Sequence, residues 1–434
     1  MSRKKKEKIR GGLNLYQNKE PAFSRNQRQL LTPKALYIPV DPGMDERLAS
    51  AFLEDAIFMG IFELDYPGVE HKTFGRYKLE EVAESEVALS EHRVMPYDQE
   101  KPVLKKSVNF DDLVEISKRA FIIDETDGMP LFKKLQMFQE NGVHVLVADA
   151  IDEEPLVSSS INTLLQKGPQ VMEALRLTAE ALGVQNYYAV CYADMDDTRT
   201  VIPQKLEGVS IKKVGGKYPV SRRIQQKLAE QNPGEVLGLI GVQALLHLYR
   251  AVYFQKKQNT TIVTVAGDCI GYSCNVEVAI GTTLSELLSF CGLVKDPSRV
   301  IIQGSMGGIA MPSLDLPILH SEKAVLAFED EVTNRKLPCI NCGRCVDVCP
   351  AGIAPSYIYK YLKSGQKNAA IALHPERCID CGCCSYICPA RIELAASVYD
   401  LKAEVLSRHE EPEDVAEEAV SKEERTAIGG EPNV

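Results

Sequence analysis

Two cysteine runs near the carboxyl end constrain this chain more than any other feature. They are Cys339-x2-Cys342-x2-Cys345-x3-Cys349-Pro350 and Cys378-x2-Cys381-x2-Cys384-x3-Cys388-Pro389. Three thiolates two residues apart on a tight loop reach three corners of an iron–sulfur cubane. The fourth cannot fold back onto the same cube, so it ligates the neighbouring one. The spacing therefore predicts two [4Fe–4S] clusters, one held by Cys339, Cys342, Cys345 and Cys388, the other by Cys378, Cys381, Cys384 and Cys349. Structural zinc is normally held by paired C-x2-C units rather than by triplets followed by Cys-Pro. In "CIDCGCCSYICP" a fifth cysteine, Cys383, is out of register and is expected to be a small buried thiol beside the ligands. Gly343 and Gly382 are expected to let the loops wrap closely and to free backbone N–H groups for the cluster sulfides. His374 precedes Cys378 by four residues and is not needed as a ligand, because the cysteine set is complete. "SYIYKYLKSG", between the runs, has helical apolar spacing suited to packing beneath the clusters. Residues 325–405 are thus expected to form a helical ferredoxin-like domain with a one-electron relay, whose folding is driven by metal as well as by apolar burial.

The other four cysteines are scattered: Cys191, Cys269, Cys274 and Cys291, of which Cys191, in an apolar strand, and Cys291, near a helix end, read as core. The opening "MSRKKKEKIRGG" is basic but has no apolar run after it, which argues against an export signal. A reducing, cytoplasmic setting follows, where cysteines serve as metal ligands or redox groups. The basic opening reads as a solvated arm, with peripheral contact to an anionic membrane or an acidic partner as the functional alternative. A net charge of −10 argues against a nucleic-acid binder. The most apolar run, Val236 to Val252, is interrupted by Gln243, His247 and Arg250 and is too short to span a bilayer. It is expected to be a buried helix, so no transmembrane segment is expected.

Residues 106–258 alternate between strand and helix signals. "VHVLVADA" reads as a buried parallel strand and "NYYAVCYAD" as the next. The stretch "INTLLQKGPQVMEALRLTAEALG" between them reads as a helix stopped at Gly183. This argues for an α/β layer. Residues 259–318 read as a compact β-rich module with one short helix, capped by Thr283 and Glu286 and ended by Gly292. Residues 1–105 read as mostly β. Residues 406–434 are acidic and poor in large apolar side chains, and are expected to be a disordered tail.

The cysteine region, with "KYPVSRRIQQKL", "GLIGVQALLHLYRAVYF", "IVTVAGDCIGYSCNVEVAIGTTLSELL", "VIIQGSMGGIAMPSLDLPI" and the "IRGG" opening, resembles the RnfC family, a component of the Rnf electron transport complex. The resemblance implies an α/β plus α multi-domain architecture. Its parts would be a degenerate barrel-sandwich N-terminal region, a nucleotide-binding-like α/β domain, a β-grasp (SLBB-type) module and the two-cluster domain. That family, like the related flavin-binding component of respiratory complex I, carries a loop of the form GxGGAGFP. Here the corresponding stretch is "AFIIDETDGMPLF", where only Gly128 and Pro130 remain and Asp124, Glu125 and Asp127 would oppose a phosphate. The E-x-E-P element appears as Asp152-Glu153-Glu154-Pro155. Both segments read better as solvated turns capping the following helix, which implies that FMN and NADH binding is lost. The loop "GDCIGYSCN" adds Cys269 and Cys274, a candidate redox-active dithiol between the clusters and a partner. The departures resemble the proline reductase-associated branch, PrdC, of amino-acid-fermenting anaerobes. That branch implies electron delivery to D-proline reductase from an NADH- or ferredoxin-linked donor. The alternative is an FMN-dependent NADH dehydrogenase component of an Rnf-like complex, and a third reading is a scaffold with structural clusters.

Overall fold

The computed structural model describes residues 11–19, 22, 26–31, 35–40, 70–75, 108–192, 202–221, 224, 228, 234–329 and 337–410. The chain forms two compact units, Asn14–Val332 and Met1–Leu13 with Thr333–Val434. The expected barrel-sandwich over residues 1–105 falls mostly outside the described residues. Three of its strands are described: β1 (Arg28–Leu30), β2 (Ala35–Val40) and β3 (Glu70–Gly75). β2 and β3 form a parallel pair.

The α/β layer is a five-stranded sheet of β4 (Val145–Ala150), β5 (Asn186–Tyr192), β6 (Lys205–Leu206), β7 (Val209–Val214) and β8 (Leu237–Gly241). Its order is β6-β7-β5-β4-β8, parallel except for β6. All six residues of β4 are buried, as a strand covered on both faces by crossover helices must be. Two expectations are corrected here. The run from Val236 to Val252 is not one helix: β8 takes its first part and a helix, Val242–Phe254, the rest. A continuous apolar run does not distinguish a buried strand from a buried helix, and pairing with β4 decided it. The segment after β4 forms two helices, Ser159–Gln166 and Gly168–Leu182, because Pro169 can only open a helix, not continue one. Gly183 ends the second helix at φ +71°, as expected.

The second sheet holds β1, β9 (Thr260–Ala266), β10 (Cys274–Ala279), β11 (Arg299–Ile302), β12 (Ile309–Ala310) and β13 (Ala324–Phe328), in the order β1-β10-β9-β13-β11-β12. The helix Leu284–Phe290 packs on it through Leu284, Leu287 and Leu288. Thr283 Oγ1 accepts from Glu286 N at its start, and Gly292 follows its end at φ +78°. The expected boundary at residue 258 does not separate compact units. Buried Arg250, on the Val242–Phe254 helix, is ion-paired at 2.6 Å with Glu277 of β10, and Gln243 bonds both polar groups of Ile262. The boundary at 105 is crossed too, because β1 pairs with β10.

The smaller unit is helical. Helices Pro355–Lys363, Lys367–Ile371 and Leu394–Glu410 bury Ile358, Ala370, Val398 and Leu401 together with Cys349. The last helix runs five residues past the expected tail boundary at 405. The remainder of that tail lies outside the described residues. Gly12 N donates to Val348 O at 2.8 Å, and Gly11 sits at φ +77° where a Cβ would meet Val348 O at 2.6 Å. The early glycine pair thus clasps the backbone beside Cys349 at a distance no other residue tolerates.

Candidate metal centre and the filled crevice

The two cysteine runs form near-identical loops. Asn341 and Asp380, between the first two cysteines of each run, both take left-handed conformations, at φ +57° and +56°. Gly343 and Gly382 follow at +76° and +69°. Each loop then enters a four-residue helix, Arg344–Asp347 or Cys383–Tyr386. Two left-handed residues within three positions curl the backbone of each loop tightly.

The eight register cysteines partition between two cavities. Cys339, Cys342, Cys345 and Cys388 line one. Cys349, Cys378, Cys381 and Cys384 line the other. Each cavity therefore takes three sulfurs from one run and the fourth from the other. The donor set is all thiol, the usual set for [4Fe–4S] clusters. Burial pushes the Cys378 and Cys384 thiols up to about 12, so a bound cation is what makes them thiolates. The two cavities differ in access. In the first, Cys342 is exposed, with Ile340 and Tyr357 exposed beside it, Cys339 and Cys388 are half-buried and Cys345 is buried; in the second, Cys378 and Cys384 are half-buried and Cys349 and Cys381 buried. Over the second loop, Lys402 Nζ donates to Cys378 O at 2.8 Å and to Asp380 Oδ2 at 2.6 Å. Gly382 N–H donates to Tyr399 Oη at 2.9 Å. Cys383 is fully buried in the second cavity, and His374 is exposed and bonded to Glu376.

Residues 338–392 match the family model of the 4Fe-4S dicluster domain. The chain carries an iron–sulfur dicluster domain. Its wider likeness is to the C components of ion-translocating redox complexes. Against the C component of the ion-translocating oxidoreductase complex of Yersinia pseudotuberculosis serotype O:3 (strain YPIII) it is 27% identical over 259 residues, 56% of this chain and 37% of that protein. Against the Rhodobacter capsulatus protein of the same name (strain ATCC BAA-309) it is 25% identical, over 56% of this chain and 50% of the relative. Against the C component of the proton-translocating ferredoxin:NAD(+) oxidoreductase complex of Clostridium ljungdahlii the identity is 24%, over 58% of this chain and 59% of that protein. The chain thus spans between 37% and 59% of these relatives' lengths. Among solved structures, the NAD+-reducing [NiFe]-hydrogenase in its air-oxidized state aligns with 14% identity and a TM-score of 0.46, over 70% of this chain and 68% of that chain. Among the described residues no helix is long and apolar enough to cross a membrane.

The α/β sheet reverses its winding between β4 and β8, and the crevice at their carboxyl ends is where ligands of such sheets bind. Here that crevice holds the chain's own carboxyls. Glu125 Oε1 and Oε2 accept from Gln243 N and Ala244 N at 2.8 and 3.0 Å, in the first turn of the Val242–Phe254 helix. Asp124 Oδ2 accepts from Gly241 N at 3.0 Å and pairs with Lys134 at 2.7 Å. Burial, with Asp124 alongside, pushes Glu125 up to about 8. Glu154 Oε2 and Oε1 accept from Met306 N and Gly307 N, within the glycine turn 304–308. Glu153 accepts from Val220 N and Ser221 N, and Asp152 caps Ile161 N at 2.9 Å. Lys19 Nζ, buried, donates to the carbonyls of Asp152, Glu154 and Val157. The expectation of solvated turns is corrected: Asp124, Glu125, Asp152 and Glu153 are buried. The first two cap a helix more than a hundred residues away, because the fold brings β8 beside β4. Only Asp152 caps the helix that follows it.

The expected Cys269/Cys274 pair is not what the fold emphasises. Cys274 Sγ lies 3.8 Å from Cys291 Sγ, while Cys269 Sγ lies 3.7 Å from Asp268 Oδ1. Cys291, read from sequence as plain core, is the neighbour that was missed; the signal lay in its place at the end of the helix that crosses the sheet. All three are buried in one apolar cluster. The hydrogen bond to Cys274 and burial raise the Cys291 thiol, and burial and Asp268 raise that of Cys269. Cys191 is buried in β5, as expected.

Proposed function

We propose that this chain is an iron–sulfur electron-transfer protein. It passes electrons one at a time through two [4Fe–4S] clusters to a redox protein partner. Cys339, Cys342, Cys345 and Cys388 hold the accessible cluster; Cys349, Cys378, Cys381 and Cys384 hold the enclosed one. The observation that carries this reading is the four-and-four division of the register cysteines between two cavities. The clusters supply reversible one-electron chemistry when bound. The chain's own residues supply eight sulfurs and leave Cys342 of the first site exposed toward a partner.

The larger unit serves as a docking and scaffold body: its second sheet with the Leu284–Phe290 helix is a β-grasp module of the SLBB type. The α/β layer binds neither FMN nor NADH, because Glu125 takes up the helix N-terminal amides that a phosphate would use, and Glu154 takes those of the glycine turn. The partner is D-proline reductase, in the PrdC manner, with an NADH- or ferredoxin-linked donor upstream.

Anaerobically purified protein tests all of this. About eight iron per chain, no flavin absorbance, and cluster reoxidation on mixing with D-proline reductase are expected. A flavin band would favour the NADH dehydrogenase alternative. Intact clusters that stay reduced in the presence of the reductase would remove the partner. Zinc in place of iron would remove the reading altogether.

A further inference from the structure

Cys383 belongs to no ligand set, yet the fold spends a fully buried position on it. The two cluster loops take left-handed φ at the same two positions and then enter a short helix, and the residue after the second such position is Arg344 in one and Cys383 in the other. Arg344 is exposed, whereas Cys383 is fully buried in a cavity lined by four ligand sulfurs. It lines that cavity together with Cys381, two residues before it, so its sulfur stands within the ligand shell of the enclosed site. In the same loop the Gly382 N–H is committed to the Tyr399 phenol, so that backbone donor is not free for the cluster.

We propose that Cys383 is a positioning residue that sets the reduction potential of the enclosed cluster by donating its thiol hydrogen to the Cys381 sulfur. The inference rests on the two-cluster reading. Once Cys381 is bound to iron as a thiolate it has no proton to give, so Cys383 is the donor of the pair. Reduction adds negative charge that spreads onto the ligand sulfurs, and a donor aimed at one of them stabilises the reduced state more than the oxidised. The potential is thereby raised. The other loop has Arg344 at the matching place, exposed and lining its cavity, so no thiol donor stands there. Cys383 does not itself ligate iron, because the four corners of the cube are already taken by cysteines in register.

The test is an EPR-monitored redox titration of anaerobic, full-length protein, with the parent compared to Cys383→Ala and Cys383→Ser. With eight iron per chain retained, Cys383→Ala is expected to move the midpoint of one cluster to more negative values and leave the other in place. Cys383→Ser keeps a donor and is expected to recover part of that shift. Unchanged midpoints in Cys383→Ala, an equal shift of both clusters, or a serine variant that behaves as alanine would each overturn the proposal. So would loss of about four iron from the alanine variant that serine does not restore, since that outcome makes Cys383 a ligand or a packing residue. A parent lacking clusters would instead defeat the two-cluster reading, so the two failures are distinguishable.

Discussion

Replacing Cys388 with alanine separates the spatial ligand assignment from the sequential one. By sequence Cys388 closes the second run; by cavity it stands with Cys339, Cys342 and Cys345. Each single ligand loss is expected to remove one cluster, lowering iron from about eight to about four per chain. Double variants carry the discrimination. Cys388→Ala combined with Cys342→Ala strikes one site twice, so about four iron should remain. Cys388→Ala combined with Cys381→Ala strikes both sites and should leave close to none. If each run held its own cluster, those two results would exchange. The surviving clusters should also differ in lability. Cys388→Ala leaves the site walled by buried Cys349 and Cys381, whereas Cys349→Ala leaves the site with exposed Cys342. A chelator should therefore strip iron several-fold faster from Cys349→Ala. Iron assay and visible absorbance on oxygen-free samples read both quantities. A Cys388→Ala/Cys342→Ala protein devoid of iron beside an iron-bearing Cys388→Ala/Cys381→Ala protein would refute the crossing.

Further outcomes follow from the larger unit. Glu125→Ala strips two buried helix amides of their acceptor and should cost roughly 2–6 kcal/mol in urea unfolding, whereas Glu125→Gln keeps one acceptor oxygen and should cost less. A raised carboxyl contributes stability that is full below its unfolded value and is lost as pH rises; the advantage of the parent over Glu125→Gln should therefore shrink from pH 4.5 to about 8. Glu277 is the opposite case. Burial alone would raise it, but Arg250 outweighs burial and holds it at about 2. Its contribution, about 3 kcal/mol, is present above pH 4.5 and fades as pH falls through 2, and Arg250→Met should cost roughly 3–5 kcal/mol at pH 7. Gly11→Ala would drive a Cβ into the Val348 and Cys349 carbonyls, so faster iron loss with an unchanged melting temperature of the larger unit is expected.

The cluster loops were legible because metal ligation is a local code: three sulfurs at fixed short spacing must share one loop, whatever surrounds it. Strands β4 and β5 were legible because a fully buried parallel strand is a continuous apolar run. The same rule failed at Val236–Val252, where apolarity without a period left helix and strand equivalent until β4 supplied a pairing edge. Glu125 was misplaced for a different reason. Its acidity marked it as hostile to phosphate, but the amides it satisfies lie 118 and 119 residues away and come close only through the sheet order.

What the amino-acid order settled alone was chemistry set by neighbours along the chain: eight register sulfurs, the extra thiol of Cys383, and the strand–helix alternation. Tertiary structure decided which sulfurs share a cavity, that Cys274 meets Cys291, and that the crevice between β4 and β8 is filled from within. Those outcomes depend on bringing residues tens to hundreds of positions apart into contact. The free energy of such contacts comes from sheet pairing and burial, which no short stretch of sequence contains.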